Sequence, residues 1–169
     1  MISRRCAKTG QGGAPVANGL GLAYAGRCRR SGGKRPPGKG PYLLDSSAWV
    51  EMLRPGQALR LESWLKPGEI ATCLPVIQEV LQGIREEADF RKMREALFAM
   101  IVVDSPLPAA ASEEAAGLYR TARRAGVTVR SSVDCLIASI AIRHDFLVLH
   151  RDRDFHGLAR VSPLRERSI

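Results

Sequence analysis

The sequence predicts a three-layer α/β/α fold with a mostly parallel central sheet. Short apolar runs of three to five residues alternate with helical segments from residue 42 onward. Residues 133–142 are apolar or small on every side of a helix, which is typical of a helix buried between other elements. Acidic residues follow the apolar runs, where open α/β sheets place their ligand sites. Together these three observations favour a fold with one site at one edge of the sheet.

Residues 1–41 differ in composition from the rest of the chain. They contain nine of the 26 Lys and Arg, ten of the 16 Gly and no Asp or Glu, so the remaining 17 basic residues balance all 17 acidic ones. With few large apolar residues and no periodicity, this segment is predicted to be a disordered basic tail. Residues 42–169 are long enough for one domain with its own core.

Three interpretations of the tail stay open. It starts with Ser-Arg-Arg and contains Ala23-Tyr24-Ala25, as a twin-arginine signal would, although glycines interrupt the apolar region between them. The start codon could instead lie further downstream, or the tail could be a basic arm that contacts nucleic acid without reading its sequence. No run approaches 18 apolar residues, so no membrane span is predicted.

Cysteine and histidine spacing indicates neither disulfides nor zinc. The four cysteines form no C-x-x-C pair, which favours a reduced, cytoplasmic protein. His144, His150 and His156 are six residues apart and pair with no Cys or His at zinc spacing, so no metal role is assigned to them.

The sequence of the first half of the domain predicts strands that alternate with helices. Tyr42 begins an apolar run that stops at Asp45, and Pro75 suits the first turn of a helix. Pro55-Gly56 separates two helical segments. The predicted elements are a strand at 42–44, helices at 48–53 and 57–65, a strand at 70–73, and helices at 74–84 and 87–100.

The second half contains the central stretch, residues 130–155. Gly126 ends a helix, and residues 146–149 form a fully apolar run that indicates a buried strand. The predicted elements are a strand at 101–104, a helix at 110–125, a possible strand at 127–129, the central helix at 133–142 and a strand at 146–149.

Five acidic residues share a placement at strand ends or in the following helices. Because strand ends and the helix starts after them converge on one edge of a parallel sheet, these acids are expected to lie together. Crowded carboxylates repel and need a cation, and oxygen-only ligands favour Mg²⁺ or Mn²⁺ over zinc. The five are Asp45, Glu79, Asp134, Asp152 and Asp154.

Each acid also has a purely structural interpretation. Asp45 could cap a helix, and Glu79, just outside the apolar stripe of its helix, could be a solvated surface residue. Asp134 could close a capping box with Ser131, and Asp152 and Asp154 could belong to a solvated turn. The conjunction of all five is what favours a metal site.

Four segments resemble the motifs of a known family. These are LLDSSAWVEML at 43–53, PVIQEVLQG at 75–83, RSSVDCLIASIAI at 130–142 and LVLHRDRDF at 147–155. In order and spacing they resemble PIN-domain nucleases, and within that family the VapC-type toxins of bacterial toxin–antitoxin pairs. The resemblance covers essentially all of residues 42–169, whereas the basic tail departs from the family pattern.

The resemblance implies an Mg²⁺- or Mn²⁺-dependent ribonuclease. Asp45, Glu79, Asp134 and Asp152 would hold the metal, with Asp154 as a supporting residue or as the fourth ligand in place of Asp152. Ser47 would orient a ligand or a phosphate. The family further implies a homodimer and a small antitoxin that covers the site.

Other functions remain as alternatives. A haloacid-dehalogenase-like phosphatase needs an acid where this chain has Ser47, and a response-regulator receiver needs an acidic pair beside the first strand. The chain could also be a PIN nuclease with an RNA-processing role, or a non-catalytic RNA- or ribosome-binding module that uses the basic tail.

Overall fold

A parallel sheet of five strands forms the centre of the molecule. The computed structural model describes residues 41–53 and 68–169, so nearly all of the predicted tail and the predicted helix at 57–65 lie outside the described residues. The strands are β1 (Tyr42–Leu44), β2 (Ile70–Cys73), β3 (Ile101–Val103), β4 (Leu147–His150) and β5 (Arg165–Ser168). Their order is β3-β2-β1-β4-β5, and all four pairings are parallel.

In the described part of the chain, six helices connect and cover these strands. They are α1 (Ser46–Leu53), α2 (Leu74–Gln82), α3 (Glu87–Phe98), α4 (Ala109–Arg124), α5 (Ser132–His144) and α6 (Arg153–Ala159). Crossover connections between parallel strands are right-handed. The connections that run from β1 towards β3 and those that run back towards β5 therefore cover opposite faces of the sheet. The predicted three-layer α/β/α class is confirmed.

The core lies around the two central strands and α5. Leu43, Leu44, Val148 and Leu149 are fully buried in β1 and β4. Helix α5 buries residues on every side, as its uninterrupted apolar sequence predicts. The free thiols of Cys73 and Cys135 are also buried, and burial raises the pKa of Cys73 to about 12, so these residues act as small apolar side chains.

The possible strand at 127–129 is wrong. Gly126 ends α4 with a φ of 73°, and the Val127 N–H then donates back to the carbonyl oxygen of Ala122 at 2.9 Å. Residue 127 therefore completes the end of a helix, and the segment continues without strand pairing to Ser131, the N-cap of α5.

The sequence prediction missed the last two elements. Helix α6 has Asp152 as its N-cap, whose side chain accepts a hydrogen bond from the Asp154 N–H at 2.9 Å. Strand β5 has the sequence RERS, which lacks an apolar run, and it pairs with β4 at the sheet edge. The solvated-turn interpretation of Asp152 and Asp154 is therefore wrong, because one residue caps a helix and the other is buried within it.

The sheet reverses its winding direction between β1 and β4, which lie side by side at the centre. Strands added after β1 extend to one side, and those added after β4 extend to the other. Ligands of open α/β sheets bind in the crevice at such a switch point. The Asp45 N–H donates to the Leu149 carbonyl oxygen at 3.0 Å, which joins the two strand ends at this crevice. Within the described residues, no helix has the length and apolar character to cross a membrane.

Candidate active site

Asp45 stands at the carboxyl end of β1 and is 3% exposed. Its Oδ2 accepts hydrogen bonds from the Ser47 N–H at 3.0 Å and from the Ser47 hydroxyl, so the helix-capping interpretation is correct for this oxygen. Oδ1 is buried with no hydrogen-bond partner. Capping therefore accounts for only half of the carboxylate, because a buried lone oxygen of this kind is costly.

Ser47 connects the ends of the two central strands. Its hydroxyl donates to Asp45 Oδ2 and accepts from the Arg151 N–H at 2.9 Å. Arg151 is the first residue after β4, and its guanidinium pairs with the buried Glu51 of α1. The Ser47 hydroxyl thus fixes the orientation of the Asp45 carboxylate relative to the loop after β4.

Asp134 lies in the first turn of α5 and is 7% exposed, as its position on the apolar helix predicts. The Ser131 hydroxyl caps this helix by accepting from the Val133 N–H at 3.2 Å. Asp134 Oδ2 is buried without a partner, so helix capping does not explain why a carboxylate occupies this position. Asp134 is the second of two site acids with a buried, unpartnered oxygen.

The other four predicted acids all affect the pKa of Asp134. Burial raises the pKa of Asp134 to about 7. Four nearby carboxylates add to this rise: Asp45, Asp152, Asp154 and Glu79. Each of the four other acids selected from the sequence therefore lies near enough to Asp134 to disfavour its negative charge.

Three of these acids lie closest together. Carboxylate oxygens of Asp134, Asp152 and Asp154 fall within 4.8 Å of one another. Asp45 and Glu79 lie outside this closest trio. Glu79 is half-buried on α2 and lines a cleft of about 550 Å³ together with Ser47 and Arg151.

Arg130 is a site residue that the sequence prediction missed. Its backbone N–H donates to Asp154 Oδ2 at 2.6 Å and its Nε to Asp154 Oδ1 at 3.1 Å. Its Nη2 donates to Asp152 Oδ1 at 2.6 Å, and these two carboxylates raise the pKa of Arg130. Arg130 precedes these acids by more than 20 positions, and no short sequence pattern links residues that far apart. The contact is therefore visible only in the folded structure.

Two further acids, one buried and one partly buried, were not predicted. Glu51, 6% exposed, pairs with Arg151 beside the site. Asp104 follows β3 just as Asp45 follows β1, but its carboxylate contacts His144 Nε2 at 2.8 Å and Arg143 Nη1 at 3.6 Å, near the carboxyl end of α5. The rule that an acid follows a strand would have selected Asp104, and the structure places it with α5 and not among the acids that surround Asp134.

The acidic group fits a hard divalent cation. Its donors are carboxylate oxygens, the ligand type that Mg²⁺ and Mn²⁺ prefer. Asp45 Oδ1 and Asp134 Oδ2 are both buried and unpartnered, and Arg130 compensates only Asp152 and Asp154. The two unpartnered oxygens are of the kind that binds such a cation.

Residues 42–161 match the family described as PIN domain. The chain is a PIN-domain protein. Ribonuclease VapC11 of Mycobacterium tuberculosis (strain ATCC 25618 / H37Rv) is 40% identical to it over 135 residues, which cover 75% of this chain and 98% of the relative. At that identity and coverage, this PIN domain belongs to the VapC ribonuclease family.

Solved structures have the same fold at low identity. DNA-bound VapBC from Salmonella typhimurium aligns with a TM-score of 0.60 at 13% identity, covering 75% of this chain and 96% of the other. A toxin–antitoxin complex from Klebsiella pneumoniae aligns with a TM-score of 0.56 at 21% identity, covering 73% and 98%. These alignments support the PIN fold of the described residues.

Proposed function

We propose that this PIN domain is the toxin of a VapBC-type toxin–antitoxin pair, an endoribonuclease that uses Mg²⁺ or Mn²⁺ to hydrolyse RNA phosphodiester bonds. The observation that carries the proposal is the pair of buried, unpartnered oxygens, Asp45 Oδ1 and Asp134 Oδ2, within one group of five acids. The 40% identical relative is named a ribonuclease, which supports RNA as the substrate.

The acids have different proposed roles. Asp45, Glu79, Asp134 and Asp152 would hold the metal. Both oxygens of Asp154 accept hydrogen bonds from Arg130, so Asp154 would act as a supporting residue. The hydrogen bonds of Asp152 to other described residues use Oδ1, which leaves Oδ2 for a ligand. This difference supports Asp152 over Asp154 as the fourth ligand.

The ion would supply activation of a water molecule and stabilisation of the charge that develops on the phosphate and leaving oxygen. Asp134 must lose its proton before it can serve as a ligand, and its raised pKa places that loss near neutral pH. The Ser47 hydroxyl holds the Asp45 carboxylate in one orientation. Arg130 holds Asp152 and Asp154 in a similar way.

A basic cleft beside the acids supports a nucleic-acid substrate. The cleft has a volume of about 310 Å³ and contains Arg130, Arg153, Arg160 and His156 along its wall, with Asp154 at its inner side. Guanidinium groups bind phosphate oxygens in a fork geometry. An RNA backbone in this cleft would bring a phosphodiester to the carboxylates.

The proposal includes two protein partners. A small antitoxin would cover the acidic cleft that contains Glu79 and Glu51, where Val50 is half exposed. A second copy of the chain would complete a homodimer. A cytoplasmic location belongs to the same proposal, because the substrate is RNA and both described cysteines are free thiols.

RNA cleavage by the purified chain tests the proposal. We expect cleavage with Mg²⁺ or Mn²⁺, no cleavage with EDTA, and a loss of activity by orders of magnitude in Asp134→Asn. Asp145→Asn is the matched control, because Asp145 is an exposed acid at the other end of α5, in a left-handed conformation that Asn also tolerates. Cleavage that survives EDTA, or an Asp134→Asn variant with the parental rate, would contradict the proposal.

A non-catalytic RNA-binding module gives a different result in the same assay. It would bind RNA with the same affinity in the parent and in Asp134→Asn, and neither protein would cleave. A PIN nuclease with an RNA-processing role would cleave without inhibition by an antitoxin. Co-expression with candidate antitoxins, taken from any small proteins encoded next to the gene, distinguishes this last case.

A further inference from the structure

Two histidines and a glutamate converge on the side of the sheet where β5 pairs with β4. His150 Nε2 lies 2.8 Å from Glu166 Oε2, and His156 Nδ1 lies 2.7 Å from Glu166 Oε1. One donor atom from each of the three side chains lies within 4.8 Å of the other two. Residues 150 and 166 belong to neighbouring strands, and His156 comes from α6.

The fold holds this cluster firmly. His150 is fully buried, and its ring packs against Phe155 with centroids 4.8 Å apart. Its carbonyl oxygen accepts from the Ile169 N–H at 3.0 Å, which continues the pairing of β4 with β5. The His156 side chain is 56% exposed, so the cluster has one rigid, buried side and one side open to solvent.

We propose that His150, His156 and Glu166 form a second metal site, for a transition-metal ion such as Zn²⁺. Two imidazole nitrogens and one carboxylate are a ligand set that suits zinc and its neighbours, whereas Mg²⁺ prefers oxygen alone. The chain would then hold two classes of ion: a hard cation at the aspartates and a nitrogen-ligated ion at this cluster.

An ion at this cluster requires the side chains to adjust. Zinc bonds to nitrogen and oxygen are about 2.0–2.2 Å long, so tetrahedral ligands lie roughly 3.3 Å apart. The two histidines here contact different oxygens of Glu166, at 2.8 and 2.7 Å, and one ligand atom from each residue lies within 4.8 Å of the other two. The exposed His156 ring can rotate to bring its nitrogen to an ion shared with the other two residues. Three protein ligands leave a fourth position on the exposed side for water.

Binding of a metal ion changes the proton positions on His150 and His156, and no residue is oxidised or reduced. Glu166 accepts a hydrogen bond from each histidine, so the two facing nitrogens carry protons in the metal-free protein. Burial disfavours the Glu166 carboxylate, but the two histidines outweigh that effect and lower the pKa of Glu166. When an ion binds, each ring proton moves to the other ring nitrogen or to solvent, and the three freed lone pairs bind the ion.

A hydrogen-bond network alone leaves one feature of the cluster unexplained. His150 is fully buried, yet its Nδ1 has no hydrogen-bond partner, and an apolar side chain would fill this position without that cost. A metal bond at Nε2 provides a reason for a histidine here. The missing partner at Nδ1 also predicts an affinity about 10–100-fold below that of a site whose histidines have full support.

A metal ion at this cluster is expected to cross-link three elements next to the acidic site. An ion at this cluster joins β4, β5 and α6. Asp152 is the N-cap of helix α6, and Asp154 lies in its first turn. Binding should therefore stabilise the segment that presents both of these acids.

Zinc titration of the EDTA-treated full chain tests this site. We expect ZnCl₂ alone to raise the melting temperature, and Co²⁺ to give the visible absorption of a tetrahedral nitrogen–oxygen site. In His156→Gln the melting shift and the absorption should disappear. Glu166→Gln, which keeps an acceptor oxygen, should weaken zinc binding at least tenfold.

Two controls identify where the ion binds. His144→Gln removes a histidine outside the cluster and should retain the full zinc shift. Asp134→Asn should retain it as well, because Asp134 belongs to the oxygen-only site. If His156→Gln binds zinc as tightly as the parent, if Asp134→Asn abolishes the shift, or if the parent does not respond to zinc, the cluster is a hydrogen-bond network and the proposal is wrong.

Discussion

Arg130 holds Asp154 from two directions, with its backbone N–H on one carboxylate oxygen at 2.6 Å and its Nε on the other at 3.1 Å. The two residues are 24 positions apart, and Asp154 is 4% exposed. Asp134, in the same acidic trio, has a buried oxygen with no partner. Two neighbouring aspartates of similar burial therefore have opposite energetic roles in the metal-free protein.

Asp154→Asn should destabilise the metal-free protein by about 1–3 kcal/mol. An amide cannot accept from Arg130 on both sides, so a charge-assisted hydrogen bond is lost and an amide donor faces a guanidinium. Melting or urea unfolding in EDTA measures this change. Unchanged stability would mean that the Arg130 contacts contribute little to folding.

Asp134→Asn should stabilise the metal-free protein near neutral pH. The folded-state pKa of about 7 lies above the ordinary aspartic acid value of 3.8, so folded Asp134 binds more protons than unfolded Asp134 between these values. The contribution of Asp134 to stability should therefore fall as pH rises from about 4 to about 7. Each pKa unit of difference corresponds to about 1.4 kcal/mol.

The pH profile of unfolding in EDTA checks this sign. The parent should lose stability relative to Asp134→Asn between pH 4 and 7, and the control Asp145→Asn should keep the profile of the parent. A parent that gains stability relative to Asp134→Asn across this window would contradict a raised pKa for Asp134.

Mg²⁺ or Mn²⁺ should stabilise the parent more strongly at pH 8 than at pH 5. The ligand form of Asp134 is the carboxylate, so protons compete with the ion below the pKa of about 7. The melting temperature with and without each ion measures the effect. The shift should shrink in Asp134→Asn, and an equal shift at both pH values would place the ion elsewhere.

Gly157→Ala should destabilise the chain by about 1–3 kcal/mol and reduce RNA cleavage. A Cβ at Gly157 of α6 would lie 2.7 Å from Val127 Cγ1, so either the Val127 side chain or the helix that carries Asp154 would have to move. Gly117→Ala is the matched control, because nothing lies within 4 Å of its added Cβ in the middle of α4. There the substitution should stabilise by about 0.5–1 kcal/mol, and equal effects at both sites would show that α6 tolerates the displacement.

Deletion of residues 1–41 should flatten the salt dependence of RNA binding while cleavage specificity stays the same. The segment contributes nine Lys and Arg and no acid, and each phosphate that it neutralises adds about 0.7 to the log–log slope on a single strand. RNA binding of the full and shortened chains at several salt concentrations measures the difference. An unchanged slope would mean that the tail does not contact RNA.

Apolar periodicity was sufficient to predict the central part of the fold. The strand at 70–73 matches β2, and the buried helix with Asp134 on its inner face matches α5. Both elements are buried, so their sequences carry the burial pattern directly. Strand β5 could not be predicted this way, because Arg165–Ser168 pairs through its backbone at the sheet edge and its side chains leave no apolar signal.

The sequence was sufficient to predict the site acids that lie at a defined position of a strand or helix. It was not sufficient to predict contacts between residues that are far apart in the chain. Asp45 and Asp134 were selected by their position relative to a strand or an apolar helix face. Arg130 and the cluster at Glu166 depend on contacts between elements, which no local spacing encodes. The prediction that histidines have no metal role considered zinc spacing along the chain, whereas the structure brings His150 and His156 to a glutamate from another strand.

The hydrogen bond from the Arg151 N–H to the Ser47 hydroxyl joins residues 104 positions apart. Asp45 therefore acquires its final orientation only after the loop beyond β4 has been synthesised and has folded against β1. A nascent chain still on the ribosome, or one that terminated before Arg151, would contain the first acids without the contact that orients them. The orientation of the first acid of the site thus depends on a segment near the end of the domain.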